Sequence, residues 1–328
     1  MSHAHDRYHV ANPLETTEDV TDHGDGVDRR GFLKCMAWAG TGVVWTLTGG
    51  VLSSCALPQA GAQNGGGDFT FVQVSDSHIG FSMVPNMDVT ATFQAAVNHI
   101  ATLKTRPSFV LHTGDVSHLS RPDQYDTVDQ ILKAGKIDQS LYVPGEHDTF
   151  VDNGQAFLGR FGQGTTGNGW RSFDYNGVHF VGLVNVWNLK AGGFGVLGQD
   201  QLDWLKTDLA PLGASTPIVV YAHVPLWALY PTWGWATTDA EQALTELRRF
   251  GSVTVLNGHI HQVLQKVEGN VTFHTAAGTA YPQPAPGTAP APGPLRVVPD
   301  QLMSTLGIRE VAFVQKNGAP VIVDSQLT

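Results

Sequence analysis

The sequence predicts an α/β fold, and three observations carry that reading. Short apolar runs alternate with segments of helical periodicity. Each run is mostly β-branched or aromatic and is bounded by Gly, Pro or Asn, as buried strands are. The polar motifs fall just past the C-terminal ends of those runs, the edge along which open α/β sheets bind ligands.

Taken along the chain, residues 69–74 form the first expected strand and lead to Asp76-Ser77-His78. A helix is expected over 90–103, with Phe93, Val97, Ile100 and Leu103 on one face. A strand at 109–111 leads to Gly114-Asp115. The next helix, 123–134, starts after Pro122 and carries Val128, Ile131 and Leu132. A strand at 141–143 leads to Gly145-Glu146-His147-Asp148. Residues 171–175 and 178–186 flank Asn176-Gly177, a hairpin signal. A helix over 199–209 precedes a strand at 218–221 and Ala222-His223-Val224-Pro225. A helix over 239–250 precedes a strand at 253–256 and Gly258-His259-Ile260-His261. Both helices have an acidic residue near the start, which suits the helix dipole. Residues 271–275 alternate like a strand. A second hairpin signal, Asn317-Gly318, lies between strands at 308–315 and 319–324. Residues 282–295, rich in Pro, Gly and Ala, read as an irregular surface loop of the same body. No internal repeat is visible.

Length and charge bound the function. The 328 residues hold one large domain or two small ones, and 42% hydrophobic content allows a sizeable core. A net charge of −10 with no basic run argues against bulk nucleic-acid or anionic-membrane binding. Only Cys35 and Cys55 occur, so the body from residue 56 onward has no disulfide and no thiolate ligand.

The first sixty residues read as an address. Residues 1–28 are polar and aperiodic, a disordered leader in which His3, His5, His9 and His23 are scattered. Asp28-Arg29-Arg30-Gly31-Phe32-Leu33-Lys34, followed by an apolar, Gly-rich stretch from Cys35 to Leu57, resembles a twin-arginine export signal. Gly40, Gly42, Gly49 and Gly50 weaken that stretch as a membrane span. Export by the twin-arginine translocation machinery, to the periplasm or the outer face of the cell membrane, is expected. Two cleavage readings stand side by side. Leu52-Ser53-Ser54-Cys55 looks like a lipobox, which would leave a lipidated Cys55 as a membrane tether. Ala60-Gly61-Ala62 looks like an ordinary Ala-x-Ala site. Residues 1–62 are thus signal and leader, 63–67 a linker, and 68–328 the folded domain.

The five motifs supply enough Asp, Glu and His to hold two metal ions. Two metals about 3.5–4 Å apart are a known way to cleave phosphate esters. Asp76 and His78 are two residues apart on an expected extended segment, which puts them on one side; His259 and His261 share the spacing. Imidazole and carboxylate ligands suit Zn, Fe and Mn. Glycines at 114, 145 and 258 allow sharp turns.

In order and interval, these motifs resemble the calcineurin-like metallophosphoesterase superfamily, and most of all its bacterial cyclic-nucleotide phosphodiesterase-like branch. The resemblance covers roughly residues 68–281. It implies a four-layer fold, a central β-sandwich flanked by helices. It implies that Asp76, His78 and His261 hold a first metal, that Asp115 bridges, and that His223, His259 and the residue at 146 hold a second. His147 would stabilise the transition state or protonate the leaving oxygen, and Asp148 would orient His147. The implied reaction is in-line hydrolysis by a hydroxide held between two divalent or trivalent ions of Fe, Mn or Zn. The substrate is expected to be a small phosphate ester.

The family usually carries Asn where this chain has Glu146. The extra carboxylate should hold a dication more firmly and favour a less charged diester over a dianionic monoester. A phosphodiesterase is the leading expectation, a phosphate-scavenging phosphomonoesterase the second, and a non-catalytic metal-binding scaffold the third. Ser77 is expected to point away from the ligands. His118 has three readings: substrate contact, support of a ligand, or plain surface. His99, His179 and His274 read as structural. The aromatic run 226–235 either covers a substrate group or packs on its own body. Gly192-Gly193-Phe194-Gly195 is a mobile loop or a long turn.

Overall fold

In a computed structural model, residues 67–190, 192–314 and 318–328 are described. All of them belong to one compact unit, Ala56–Thr328. The expected export signal, Cys55, the Ala60-Gly61-Ala62 site and linker residues 63–66 lie outside them. Among the described residues no helix is long and apolar enough to cross a membrane.

Among the described residues, eleven strands form two sheets. The first contains β1 (Phe69–Val74), β2 (Val110–His112), β3 (Ser140–Tyr142), β10 (Gly307–Phe313) and β11 (Val321–Gln326), in the order β11-β10-β1-β2-β3. The second contains β4 (Arg171–Tyr175), β5 (Val178–Gly182), β6 (Ile218–Ala222), β7 (Val253–Asn257), β8 (Leu264–Glu268) and β9 (Val271–Thr275), in the order β4-β5-β6-β7-β9-β8. The centre of each sheet is parallel: β1-β2-β3 in one and β5-β6-β7-β9 in the other. Antiparallel strands close both edges of the second sheet and the β11 edge of the first, while β3 is a parallel edge.

The strands read as near-continuous apolar runs because both faces are covered. Phe71, Phe109 and Leu111 of the first sheet meet Phe180, Val219 and Tyr221 of the second in one buried cluster, the interior of a sandwich. On the outer face of the first sheet, Val72, Val74 and Val110 pack against α1 (Val89–Thr102) and α2 (Pro122–Ala134) through Phe93, Val97, Val128 and Ile131. On the outer face of the second, Val220 and Val255 pack against α4 (Gln199–Leu209) and α5 (Ala240–Leu247) through Leu205 and Leu244. The order helix, sheet, sheet, helix is the expected four-layer fold. Asp88 caps α1 by accepting from the Ala91 amide, and Pro122 opens α2 with the φ its ring presets.

The differences from the sequence expectation have local causes. β5 stops at Gly182, four residues early, because Asn185 turns aside to bond the Val224 carbonyl and the Thr237 hydroxyl. β8 escaped notice because it is an edge strand with mostly exposed side chains and no apolar alternation. Two short helices, α3 (Gln155–Phe161) and α6 (Leu302–Thr305), are too brief to show a period.

His179 lies on β5 with both ring nitrogens engaged, Nδ1 2.8 Å from Asp174 and Nε2 2.9 Å from Asp208. Burial lowers its pKa, but the two carboxylates outweigh that and raise it. Burial raises the Asp208 carboxyl, and bonds from His179 and Ser172 turn the net shift downward. The tie is therefore at full strength between about pH 4 and 6.5 and is lost as pH rises through the raised His179 pKa. The melting temperature lost in His179→Gln should be larger at pH 6 than at pH 9. An equal loss at both would contradict this assignment.

Candidate dinuclear metal centre

Seven side chains from five loops meet at the C-terminal edge of the two sheets. β1 leads to Asp76 and His78, β2 to Asp115, β3 to Glu146, β6 to His223, and β7 to His259 and His261. They form two sets. Donor atoms of Asp76, His78 and His261 lie within 4.8 Å of one another, and so do those of Glu146, His223 and His259. Asp115 stands between them, with Oδ2 3.4 Å from Nε2 of both His78 and His223. These are the sets the sequence resemblance implies.

The backbone that presents them is left-handed, not extended. Asp76, His78, Asp115, His259 and His261 have φ of 52°, 40°, 51°, 71° and 52°. Only four other non-glycine residues among those described share a positive φ: Ser120, Lys136, Asn153 and Asn176. Such conformations cost energy and persist where surrounding structure over-determines them, most often at functional sites. Here the Asp76 amide donates to the Gly114 carbonyl at 3.0 Å and the His78 amide to the Asp115 carbonyl at 2.9 Å, knitting two loops together. Gly114, at φ 99°, turns as expected. Gly145 is extended instead and is required for space: a Cβ there would sit 2.1 Å from Asp115 Oδ1.

Hydrogen bonds on the far side of the rings fix the tautomers. His223 Nδ1 donates to the Thr113 carbonyl at 2.7 Å, and His261 Nδ1 to the Tyr281 carbonyl at 2.6 Å. Nε2 of each is left as a ligand facing the centre. The chain's own bonds do not fully satisfy the inward atoms. His78 Nε2 and His261 Nε2 face each other at 3.3 Å. Glu146 Oε2 is buried 2.9 Å from His223 Nε2 with no aligned hydrogen bond. Donor atoms crowded in this way fit a shared cation. Four imidazoles and three carboxylates suit Zn, Fe or Mn, and the residues present fit two ions with Asp115 common to both.

Electrostatics agree. Burial raises the Asp76 carboxyl, but His261 and His223 outweigh it and hold it at about 2. Burial also raises Glu146, and His259 and His223 reverse that, holding it well below the carboxylate range. Burial drives His78 well below its ordinary value. It lowers His223 too, yet Asp115 and Glu146 carry that ring well above the usual histidine value. The centre holds Asp76 and Glu146 ionised and draws positive charge to them.

His147 and Asp148 follow Glu146 on a 3-10 turn, Glu146–Asp148. The His147 ring lines the cavity with Nδ1 3.0 Å from the His118 carbonyl. Burial lowers its pKa, but Asp115 and Glu146 more than offset this and raise it. Asp148 was expected to orient His147, and no hydrogen bond joins its carboxylate to that ring. The Asp148 carboxylate points the other way and accepts from the amides of Val116, Ser117 and Gly145, the Ser117 hydroxyl and the Tyr125 hydroxyl. Burial and the Asp115 charge push it up to about 6 despite these donors. It pins the β3 loop to the β2 loop, so it positions Glu146 and His147 through the backbone. Asp148→Asn would set an amide against these donors and cost about 2–4 kcal/mol of stability. Denaturant unfolding measures this, and an unchanged midpoint would contradict the bracing role.

Other expectations resolve as follows. Ser77 points away: its hydroxyl donates to the Val116 carbonyl and accepts from His112. His118 is half-buried and lines the cavity, its Nδ1 3.4 Å from His78 Nδ1. In the aromatic run, Trp227 packs on Phe273, and Trp233 and Trp235 line the cavity. The Lys190 amide donates to the Phe194 carbonyl at 2.9 Å, and the Gly195 amide to the Ala236 carbonyl at 3.0 Å. Tyr281 was missed. Its hydroxyl is 3.2 Å from His78 Nε2, and its ring packs 4.9 Å from His78 and 4.6 Å from His261. No motif surrounds it, and nothing local marks it.

The centre opens into a cavity of about 480 Å³. A second cavity, about 310 Å³, lies at the N-terminal ends of β2 and β3 and gathers Arg106, Lys136 and Asp138 but no histidine.

Residues 69–263 match the model of the calcineurin-like phosphoesterase family. The chain is 24% identical over 219 residues to a 3′,5′-cyclic-nucleotide phosphodiesterase of Nostoc sp., covering 65% of this chain and 79% of that one. It is 25% identical over 223 residues to the glycerophosphodiester phosphodiesterase GpdQ of Enterobacter lignolyticus, covering 64% and 77%. In fold it is similar to a dimetal phosphatase from Danio rerio, with a TM-score of 0.58 and 15% identity, over 79% of this chain and 98% of that one. With a family match over more than half its length and the ligand sets in place, the chain belongs to the calcineurin-like phosphoesterase family and is a metal-dependent phosphoesterase.

Proposed function

We propose that this chain is a phosphodiesterase for small phosphate diesters and that it is exported before it acts. One observation carries the diester reading. A third carboxylate, Glu146, stands in the second donor set, and no lysine or arginine lines the cavity among the described residues. Three carboxylates offset most of the charge that two divalent ions would bring. A monoanionic diester suits the small surplus. A dianionic monoester needs further cations and finds no lysine or arginine on the described wall. The names of the relatives in Nostoc and Enterobacter support a diester as well.

Bound here, two ions of Fe, Mn or Zn would supply Lewis acidity at the phosphoryl oxygens and a water of lowered pKa. Asp76, His78 and His261 would hold one, Glu146, His223 and His259 the other, and Asp115 both. With Nδ1 of His147 tied to the His118 carbonyl, Nε2 is the nitrogen free to protonate a leaving oxygen. The Tyr281 hydroxyl is placed to donate to a phosphoryl oxygen. No serine or cysteine lines the cavity among the described residues, so no such nucleophile stands ready.

The test compares bis(4-nitrophenyl) phosphate with 4-nitrophenyl phosphate, using the full chain loaded with Mn, Fe or Zn in turn. The diester should show the higher kcat/KM. A monoester preference would move the reading to a phosphomonoesterase. Export rests on Arg29-Arg30 and the stretch to Leu57, and tethering on Cys55. Replacing both arginines by lysine should retain the protein in the cytoplasm, and unchanged fractionation would remove export. Labelled palmitate on wild type but not on Cys55→Ala is the result a lipid tether requires.

A further inference from the structure

Beyond the histidines and carboxylates of the centre, the cavity wall carries apolar groups such as Phe81, Met83, Phe150 and Leu189. Six of the twelve large apolar side chains exposed among the described residues are Met83, Val84, Met87, Leu119, Phe150 and Val151. All six lie on the three loops that follow β1, β2 and β3, the loops that also carry Asp76, His78, Asp115 and Glu146. Exposed apolar surface concentrated in one place marks a binding region. Phe150 is 59% exposed and Met83 58%, and both line the cavity. The Phe150 ring meets the His147 ring edge-on at 4.7 Å, so exposed apolar surface begins at the margin of the metal centre.

The rest of the wall offers little to read a polar ligand. Trp235 is 1% exposed and packs edge-on against Trp233 at 5.0 Å, so the pair is wall and not a stacking platform. Gln283 has both ends of its amide in use, Nε2 donating to the His259 carbonyl at 2.8 Å and Oε1 accepting from the Gly293 amide at 3.2 Å.

We propose that Phe150 and Met83 form a subsite for a bulky apolar ester group, an aryl ring or an alkyl chain, on a monoanionic phosphodiester. The inference rests on the phosphodiesterase reading and adds a substituent preference to it. An apolar group enters this rim and sheds water, while a small ester group leaves the rim wet.

Three diesters sharing a 4-nitrophenolate leaving group test it: methyl, phenyl and hexyl 4-nitrophenyl phosphate, with the metal-loaded full chain. Charge and leaving group are constant, so only the retained substituent varies. Phenyl, hexyl or both should exceed methyl in kcat/KM by about tenfold or more, chiefly through KM. Whichever gains more identifies a ring or a chain as the occupant. In Phe150→Ala combined with Met83→Ala, that ratio should fall toward one. Both side chains are exposed, so their truncation spares the core. Equal efficiency for all three esters, or a ratio unchanged in the double variant, would overturn this inference alone. Turnover of 4-nitrophenyl phosphate with none of the diesters would overturn the phosphodiesterase reading and this inference with it.

Discussion

Asp115→Asn is expected to lower kcat/KM for a phosphate diester by roughly 10³-fold or more, the largest loss of any single conservative change here. Asp115 Oδ2 is equidistant from His78 and His223, 3.4 Å from each, so one atom serves both donor sets. An amide oxygen keeps the shape but removes the charge that lets one group hold two cations. The fold should survive. Asp115 Oδ1 accepts from the His147 amide at 2.9 Å, and an asparagine carbonyl can do the same. A near-native unfolding midpoint with lost turnover and lost metal is the signature. A variant that keeps its rate within a fewfold would mean that the two sets work independently.

Glu146→Asn is expected to act on selectivity as much as on rate. Glu146 places Oε1 3.0 Å from His259 Nδ1 and Oε2 2.9 Å from His223 Nε2, so it belongs to the second set and adds a negative charge there. The neutral amide should weaken binding of the second metal by about 10–100-fold, the scale seen when a group supporting a metal is altered. With metal in excess, the centre becomes more positive and the diester-to-monoester ratio of kcat/KM should fall about tenfold. Metal titrations followed by paired assays separate the two effects. If both metal affinity and the ratio are unchanged, Glu146 is not a ligand and the charge argument for a diester fails.

The cluster of candidate ligands was legible because chemistry and position coincide. Aspartate and histidine just after short apolar runs have few structural uses at a sheet edge, and five such motifs converge on one place. The strand cores were legible for a related reason, since Phe71, Val72 and Val220 are covered on their own faces and leave an unbroken apolar signal. Geometry was harder. The left-handed backbone at Asp76 and His259 arises from contacts between loops distant in sequence, which no local pattern encodes. The role of Asp148 beside His147 came from the family resemblance. A 3-10 turn instead aims the two side chains in different directions. Tyr281 reaches His78 across 203 positions of sequence. The expected leader and its cysteines fall outside the described residues, so the structure bears on the catalytic body alone.

The most direct test of the central claim is metal stoichiometry by elemental analysis, with diester turnover measured on the same samples. The account predicts close to two transition-metal ions per wild-type chain, fewer in Asp115→Asn, and turnover that falls and returns with metal content as a chelator is added and reversed. A wild-type chain that hydrolyses the diester at full rate with metal removed would contradict it, as would an Asp115→Asn chain that keeps both ions and full activity.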